Sequence, residues 1–338
     1  MIKTKKLISL LILVLIIVSF SLSSCKKEEQ KPAGPTKVFI GIATGGTGGT
    51  YFPVGGAIAS IISNFADYET PQGKVDIVAT AQTSGASVAN VNMVTNKEIE
   101  TGFAQNNVVY WAYTGTEAFK DKTPMKNLRV IMSLYPETIQ IVALKKSNIK
   151  TVFDLKGKKV AVGDKGSGTE IDARTILSLH GITYDDIEEQ YMSFAEAADA
   201  LKDERIDALF TTAGIPTSSI VELATTKEIT LVEITPDKIQ ELVQKVPYYS
   251  PFTIPKDTYK GMDNDVTTVT CLAQWVCDES LDAEVVYHIV KAVFDHKADL
   301  EKVHAKGKDI SPENAVKGVA IPFHPGAEKY FKELGLIK

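Results

Sequence analysis

Arginine is scarce in this chain of 338 residues: Arg129, Arg174 and Arg205 are the only three. None falls in the small-residue loops where a ligand could settle, so no guanidinium clamp on an anion is expected there. Cysteine is equally sparse, at three. Cys271 and Cys277 would stand roughly 20 Å apart on a strand, or roughly 9 Å apart on a helix. Either separation exceeds the reach of a disulfide, so they read as buried thiols. The sequence has no H-E-x-x-H, C-x-x-C or EF-hand pattern. His288, His296 and His304 would lie roughly 12 Å apart along one helix, too far to share a metal ion. Ser167 has Lys165 and Thr169 where a G-x-S-x-G elbow needs glycines. Asp185-Asp186 and Glu188-Glu189 read as an exposed acidic face. Nothing in this inventory asks for a catalytic site, a metal or a cofactor.

An apolar run of membrane-spanning length is also missing. Leu7 to Phe20 falls short of the roughly 20 residues a bilayer requires. It follows Lys3, Lys5 and Lys6, and it ends at Leu22-Ser23-Ser24-Cys25. The pattern is that of an export signal, residues 1–24, and the last four residues resemble a bacterial lipobox. Cleavage before Cys25 and acylation of that cysteine are the expectation. Two or more acyl chains would hold the protein lastingly on a membrane facing the periplasm or the cell exterior. Residues 25–36 then form a charged, proline-bearing tether of at most roughly 40 Å. A basic excess is absent as well. Without residues 1–24, 34 basic residues face 42 acidic ones, a formal charge of −8, which does not suit nucleic acid. A body of about 300 residues at 44% hydrophobic exceeds one ordinary core and suggests two domains.

What the chain does have is a glycine-rich opening, KVFIGIATGGTGGTYFPVGGAIASIISN, from Lys37 to Asn64. A strand over Val38 to Ile42 feeds a helix with apolar Ala57, Ile58, Ile61, Ile62 and Phe65 through small residues 43–50. Helix starts leave backbone N–H groups unpaired, and glycine lets an anion approach them. A tight turn with no ligand satisfies the same glycines. Two nucleotide readings fail. A P-loop needs Lys-Ser/Thr where Thr50-Tyr51-Phe52 stands. In a dinucleotide fingerprint begun by Gly46 and Gly48, Tyr51 occupies the final glycine position.

The strand–loop–helix unit recurs. Val75 to Ala79 leads to a helix over Ala86 to Thr95, and Ile99 to Ala104 to one over Val108 to Tyr113. This alternation predicts a parallel α/β sheet with ligands at the strand ends. Those ends carry Thr44, Thr47 and Thr50, then Thr83 and Ser84, then Gln105 and Asn106, all equally able to act as helix N-caps. Arg129 to Leu144 is β-like but broken by Pro136, which predicts a bend or an edge strand, and it is taken as the crossing to a second domain. There, Val160 to Val162, the turn Gly166-Ser167-Gly168-Thr169 and a helix over Ile171 to Leu179 repeat the opening pattern. Strand Ile206 to Phe210 ends in Thr211-Thr212-Ala213-Gly214. Two such lips could enclose a small molecule by hinge closure. The run PYYSPFTIP after Val246 reads as a loop returning to the first domain. A strand over Thr267 to Val276, a helix over Ala283 to Phe294 and a terminal amphipathic helix follow. The expected domains are therefore 37–137 with 247–338, and 138–246.

Taken together, IGIATGGTGGTYFP (40–53), GSGTEIDAR (166–174) and IPFHPGAE (321–328) resemble the TAXI-type solute receptors of TRAP transporters, as do Thr80 to Asn90 and FAQNNVVYWAY (103–113). The resemblance implies a two-domain periplasmic-binding-protein fold of type II, discontinuous in sequence, with the solute held between domains. It implies a TRAP permease as membrane partner, a sodium gradient as driving force, and glutamate, glutamine or 2-oxoglutarate as ligand types; no cofactor is expected, and the chain is taken as a monomer. By the same resemblance the solute meets Gly46, Thr47, Gly48 and Tyr51, with Ser84 and Gln105. Ser167, Gly168 and Thr169 join from the second domain, and Tyr135 and Thr212 are further contacts. Relatives often carry serine and aspartate where this chain has Asn106-Asn107. A ligand-sensing lipoprotein that signals to a membrane sensor, and a secreted hydrolase using Ser167, are the alternatives.

Overall fold

A computed structural model describes residues 36–338; the export signal, Cys25 and most of the tether lie outside the described residues. The first lobe opens with β1 (Thr36–Ala43), α1 (Tyr51–Phe65), β2 (Tyr68–Thr70), β3 (Gly73–Gln82), α2 (Ser87–Thr95), β4 (Thr101–Gln105) and α3 (Asn106–Thr114). The long strand β5 (Leu128–Leu144) then carries the chain into the second lobe. There follow β6 (Lys159–Ala161), α4 (Gly168–Leu179), β7 (Glu188–Gln190), α5 (Phe194–Lys202), β8 (Ala208–Ala213), α6 (Ser218–Thr226), β9 (Ile229–Leu231), α7 (Pro236–Lys245) and β10 (Ser250–Ile254). A second long strand, β11 (Val266–Asp278), returns the chain, and α8 (Ala283–Asp295), α9 (Lys297–Val303) and the terminal α10 (Pro325–Glu333) complete the first lobe.

Each unit forms for a local reason. In α1, Val54, Ile58, Ile61 and Ile62 recur at helical spacing and are buried, while Ser60 stays exposed. Strands β4 and β8 are buried along their whole length, as expected where helices cover both faces of a sheet. The strands run in one continuous order, β2-β3-β1-β4-β11-β5-β8-β6-β7, with β10 on β11 and β9 on β5. Within the lobes β1 pairs in parallel with β3 and β4, and β6 in parallel with β7 and β8. The long pair β5–β11 is antiparallel and belongs to both lobes.

Two sequence expectations change here. Pro136 does not make β5 an edge strand, since β11 and β8 flank it, but β8 pairs only from Thr138 to Ala143, so at Pro136 itself β5 has a neighbour on one side alone. The proline is tolerated because the β5–β11 register slips beside it. Leu272 faces Pro136, but Gln274 already faces Ser133, so Leu134 and Tyr135 share Ala273. An irregular ladder has no fixed donor to lose at that point. The run PYYSPFTIP is likewise more than a loop, since it contains β10. Tyr249, Val269 and Cys271 pack into one core of the second lobe, and Ile254, Tyr259 and Met262 into the other. By packing, the chain regains the first lobe within β11, where Ala273, Trp275 and Cys277 join its core.

Candidate functional site

The lobes meet at the carboxyl ends of their parallel strands around a partly open cavity lined by residues of both. Four helices begin on its wall: α1 at Tyr51, α2 at Ser87, α4 at Gly168 and α5 at Phe194. The first turn of a helix has donors without intrahelical acceptors, and its dipole adds partial positive charge. Convergence of several such ends makes a place for an anionic group without any cationic side chain. Neither lysine nor arginine lines the cavity.

The lobes are in contact. Ser219 N donates to Gly48 O at 3.2 Å, and Thr50 Oγ1 donates to Gly214 O at 3.1 Å. Deeper in, Gln105 Nε2 donates to Asp172 Oδ2 at 2.9 Å, and Asn107 Nδ2 to Tyr249 Oη at 3.2 Å. Small residues allow this approach. A methyl group at Gly48 would stand 3.0 Å from Ala195 N, and one at Gly168 would stand 2.1 Å from Gln105 Oε1. The arrangement is a closed cleft.

Of the residues singled out from sequence, Gly46, Tyr51, Gln105, Ser167, Gly168, Thr169 and Thr212 line this one cavity. Ser167 caps α4, its Oγ accepting from Glu170 N at 3.1 Å, and no histidine shares the cavity wall. Thr47 and Gly48 lie instead on a neighbouring recess of the seam, against Ala195, Ser218 and Ser219. Ser84 is turned into the first lobe, where its Oγ bonds Asn90 Oδ1 and Thr44 O. Tyr135 is buried in the first lobe's core, 1% exposed.

Sequence reasoning missed the acidic part of the site. Glu137, on β5 one residue past the proline, is 2% exposed and lines the cavity. Tyr51 Oη donates to its Oε2 at 2.8 Å. Burial pushes this carboxyl well above the usual range, and nearby Asp172 pushes the same way. Asp172 is itself pushed up to about 6 by burial, although bonds from Tyr249 and Gln105 pull it back. Asp164, at the lip of the second lobe, is raised by burial and by Glu196. One available signal was a single carboxylate in the otherwise uncharged run from Val130 to Leu144, since an unpaired acid is rarely left inside a core. Ala86, also on the wall, has φ 63° and ψ −148°, a backbone region that is comfortable only for glycine.

A two-lobed α/β fold with paired crossing strands and a closed interlobe cleft defines the type II periplasmic-binding-protein class. In agreement, the chain superposes on a solved structure described as a periplasmic transporter. The identity is 15% over 90% of this chain and 94% of that one, with a TM-score of 0.52. A Bordetella bronchiseptica RB50 protein (16% identity, 89% of each chain, TM-score 0.49) is more distant in shape. So is the alkanesulfonate-binding protein SsuA of Xanthomonas axonopodis pv. citri bound to MOPS (16% identity, 89% and 84% coverage, TM-score 0.45). Residues 42–335 match the NMT1-like family, and the chain belongs to it. Among the described residues no group of three or more His, Cys, Asp and Glu side chains could hold a metal ion, and no helix is long and apolar enough to cross a membrane.

Proposed function

We propose that the protein is an extracytoplasmic receptor that captures a small carboxylate, of the glutamate, glutamine or 2-oxoglutarate type, and delivers it to a TRAP permease without transforming it. The observation that carries this reading is the meeting of four helix starts, two from each lobe, on one interlobe cavity. A carboxylate placed there takes main-chain donors from both lobes at once, so binding favours the closed form. In this reading the site comprises Gly46, Tyr51, Gln105, Ser167, Gly168, Thr169 and Thr212, with Thr47 and Gly48 acting at the seam and Ser84 and Tyr135 supporting from behind. The domains are 37–137 with 247–338, and 138–246, with residues 247–271 packing against the second of them, and acylated Cys25 holds the receptor beside its permease. The TRAP assignment is supported by the GGTGGTYFP opening and by the absence of a cationic clamp. A thermal-shift screen of small organic acids and amino acids tests it. A ligand at roughly 100 times its dissociation constant adds about 2.7 kcal/mol of stability, and a screen in which no small carboxylate shifts the melting temperature removes the reading.

A further inference from the structure

The cavity has more negative than positive character in its side chains, which is odd for a site that holds only an anion. Glu137 and Asp164 lie on its wall, Asp172 is bonded directly behind it to Gln105, and no basic side chain answers them. Two further observations point to a missing donor. Glu137 has one oxygen occupied by Tyr51, and among the described residues no hydrogen bond reaches the other. Gln105, 2% exposed and on the same wall, has its Oε1 buried without a partner, while its amide nitrogen donates to Asp172. A buried carboxyl on the cavity wall and, beside it, an amide oxygen packed on Gly168 without a partner therefore sit among helix starts that offer backbone N–H groups. That pattern matches a molecule with both signs of charge: a carboxylate for the helix starts and an ammonium for the acceptors.

We propose that Glu137 is the counter-ion for an ammonium group on the ligand and that its carboxyl loses one proton to solvent when the ligand enters. The inference rests on the receptor reading above and narrows its ligand to an amine-bearing carboxylate. The proton balance is simple: protein with neutral Glu137 plus a zwitterionic ligand gives a complex with ionised Glu137 and one released proton, and no bond of the ligand changes. The groups that face Glu137 are Tyr51 from α1, Tyr135 on its own strand, Asp172 from α4 and Cys271 across the β5–β11 ladder. None is a cation. Burial holds the Tyr51 hydroxyl and the Cys271 thiol in their neutral forms, so only a ligand can supply the compensating positive charge.

The sign of the pH effect follows. A group whose midpoint falls on binding makes affinity rise with pH between the bound and free midpoints, by up to about tenfold per unit for one proton. The test is calorimetry of L-glutamate and 2-oxoglutarate, which differ at the α-position as amine and ketone, in buffers of different ionisation enthalpy between about pH 5 and 8. L-glutamate should bind at least about tenfold more tightly and release close to one proton at the acidic end. Glu137→Gln, which keeps the Tyr51 hydrogen bond, should abolish the release and erase most of the preference. Proton-neutral binding of L-glutamate, or equal affinity for the ketone, overturns the inference while leaving the carboxylate receptor standing. Failure of both probes to bind overturns this inference and leaves the receptor reading to the wider screen. The buffer dependence of the unaltered protein decides the matter even if the variant does not fold.

Discussion

Gly168 and Gln105 come from different lobes, yet a methyl group on Gly168 would stand 2.1 Å from Gln105 Oε1. Their approach is the tightest point of the closed cleft at which a glycine meets a side chain of the other lobe. Gly168→Ala should therefore block full closure, because Gln105 is pinned from behind by Asp172. Ligand affinity should fall at least about tenfold, the cost of one lost closing interaction, while the melting temperature without ligand changes little. A variant that binds as the parent does would show that closure on Gln105 is not needed.

Asp172 gives a stability signature in pH. Its carboxyl is held up near 6 by burial, whereas the unfolded chain titrates near 3.9. The native state therefore binds more protons between these values, and this group's contribution to stability declines as pH rises through that window. Asp172→Asn removes the ionisation. Urea unfolding at about pH 4 and 7 should show a parent protein that loses stability relative to the variant as pH rises. Parallel pH curves would contradict the assignment.

Ala86 has a backbone conformation that costs an L-residue of order 1–3 kcal/mol. Ala86→Gly should relieve it and raise stability by about 1 kcal/mol after the extra chain entropy of glycine is counted. Denaturant midpoints of the two proteins check this, and a destabilised glycine variant would mean that the strain is absent.

Ser167 is expected to matter twice, as the cap of α4 and as part of the cavity wall. Ser167→Ala leaves Glu170 N without its acceptor and should cost about 1 kcal/mol, roughly 1–2 °C in melting temperature for a body of this size. Binding should weaken beyond what that loss explains. An unchanged melting curve would deny the cap.

Much of this was legible from residues alone, and the reason is locality. The passage from β1 through residues 44–50 into α1 is written in consecutive residues: apolar, then small, then apolar at helical spacing. The same holds for Ser167 ahead of α4. What stayed hidden depends on distant partners. Tyr51 and Glu137 are 86 positions apart and leave no joint mark on the sequence. Pro136 misled because the slipped ladder that accommodates it is set by β11, far along the chain. Ser84 reads like a strand-end hydroxyl, and only the fold shows it spent on Asn90.

The two covalent links between the lobes are neighbouring strands of a single ladder, and they carry its irregular stretch at the level of the cavity floor. Neither link can swing without dragging the other. Any parting of the lobes would therefore have to twist one ribbon rather than swing two independent tethers. Glu137 sits on that ribbon, so a group that pairs with it would bear directly on a strand shared by both lobes.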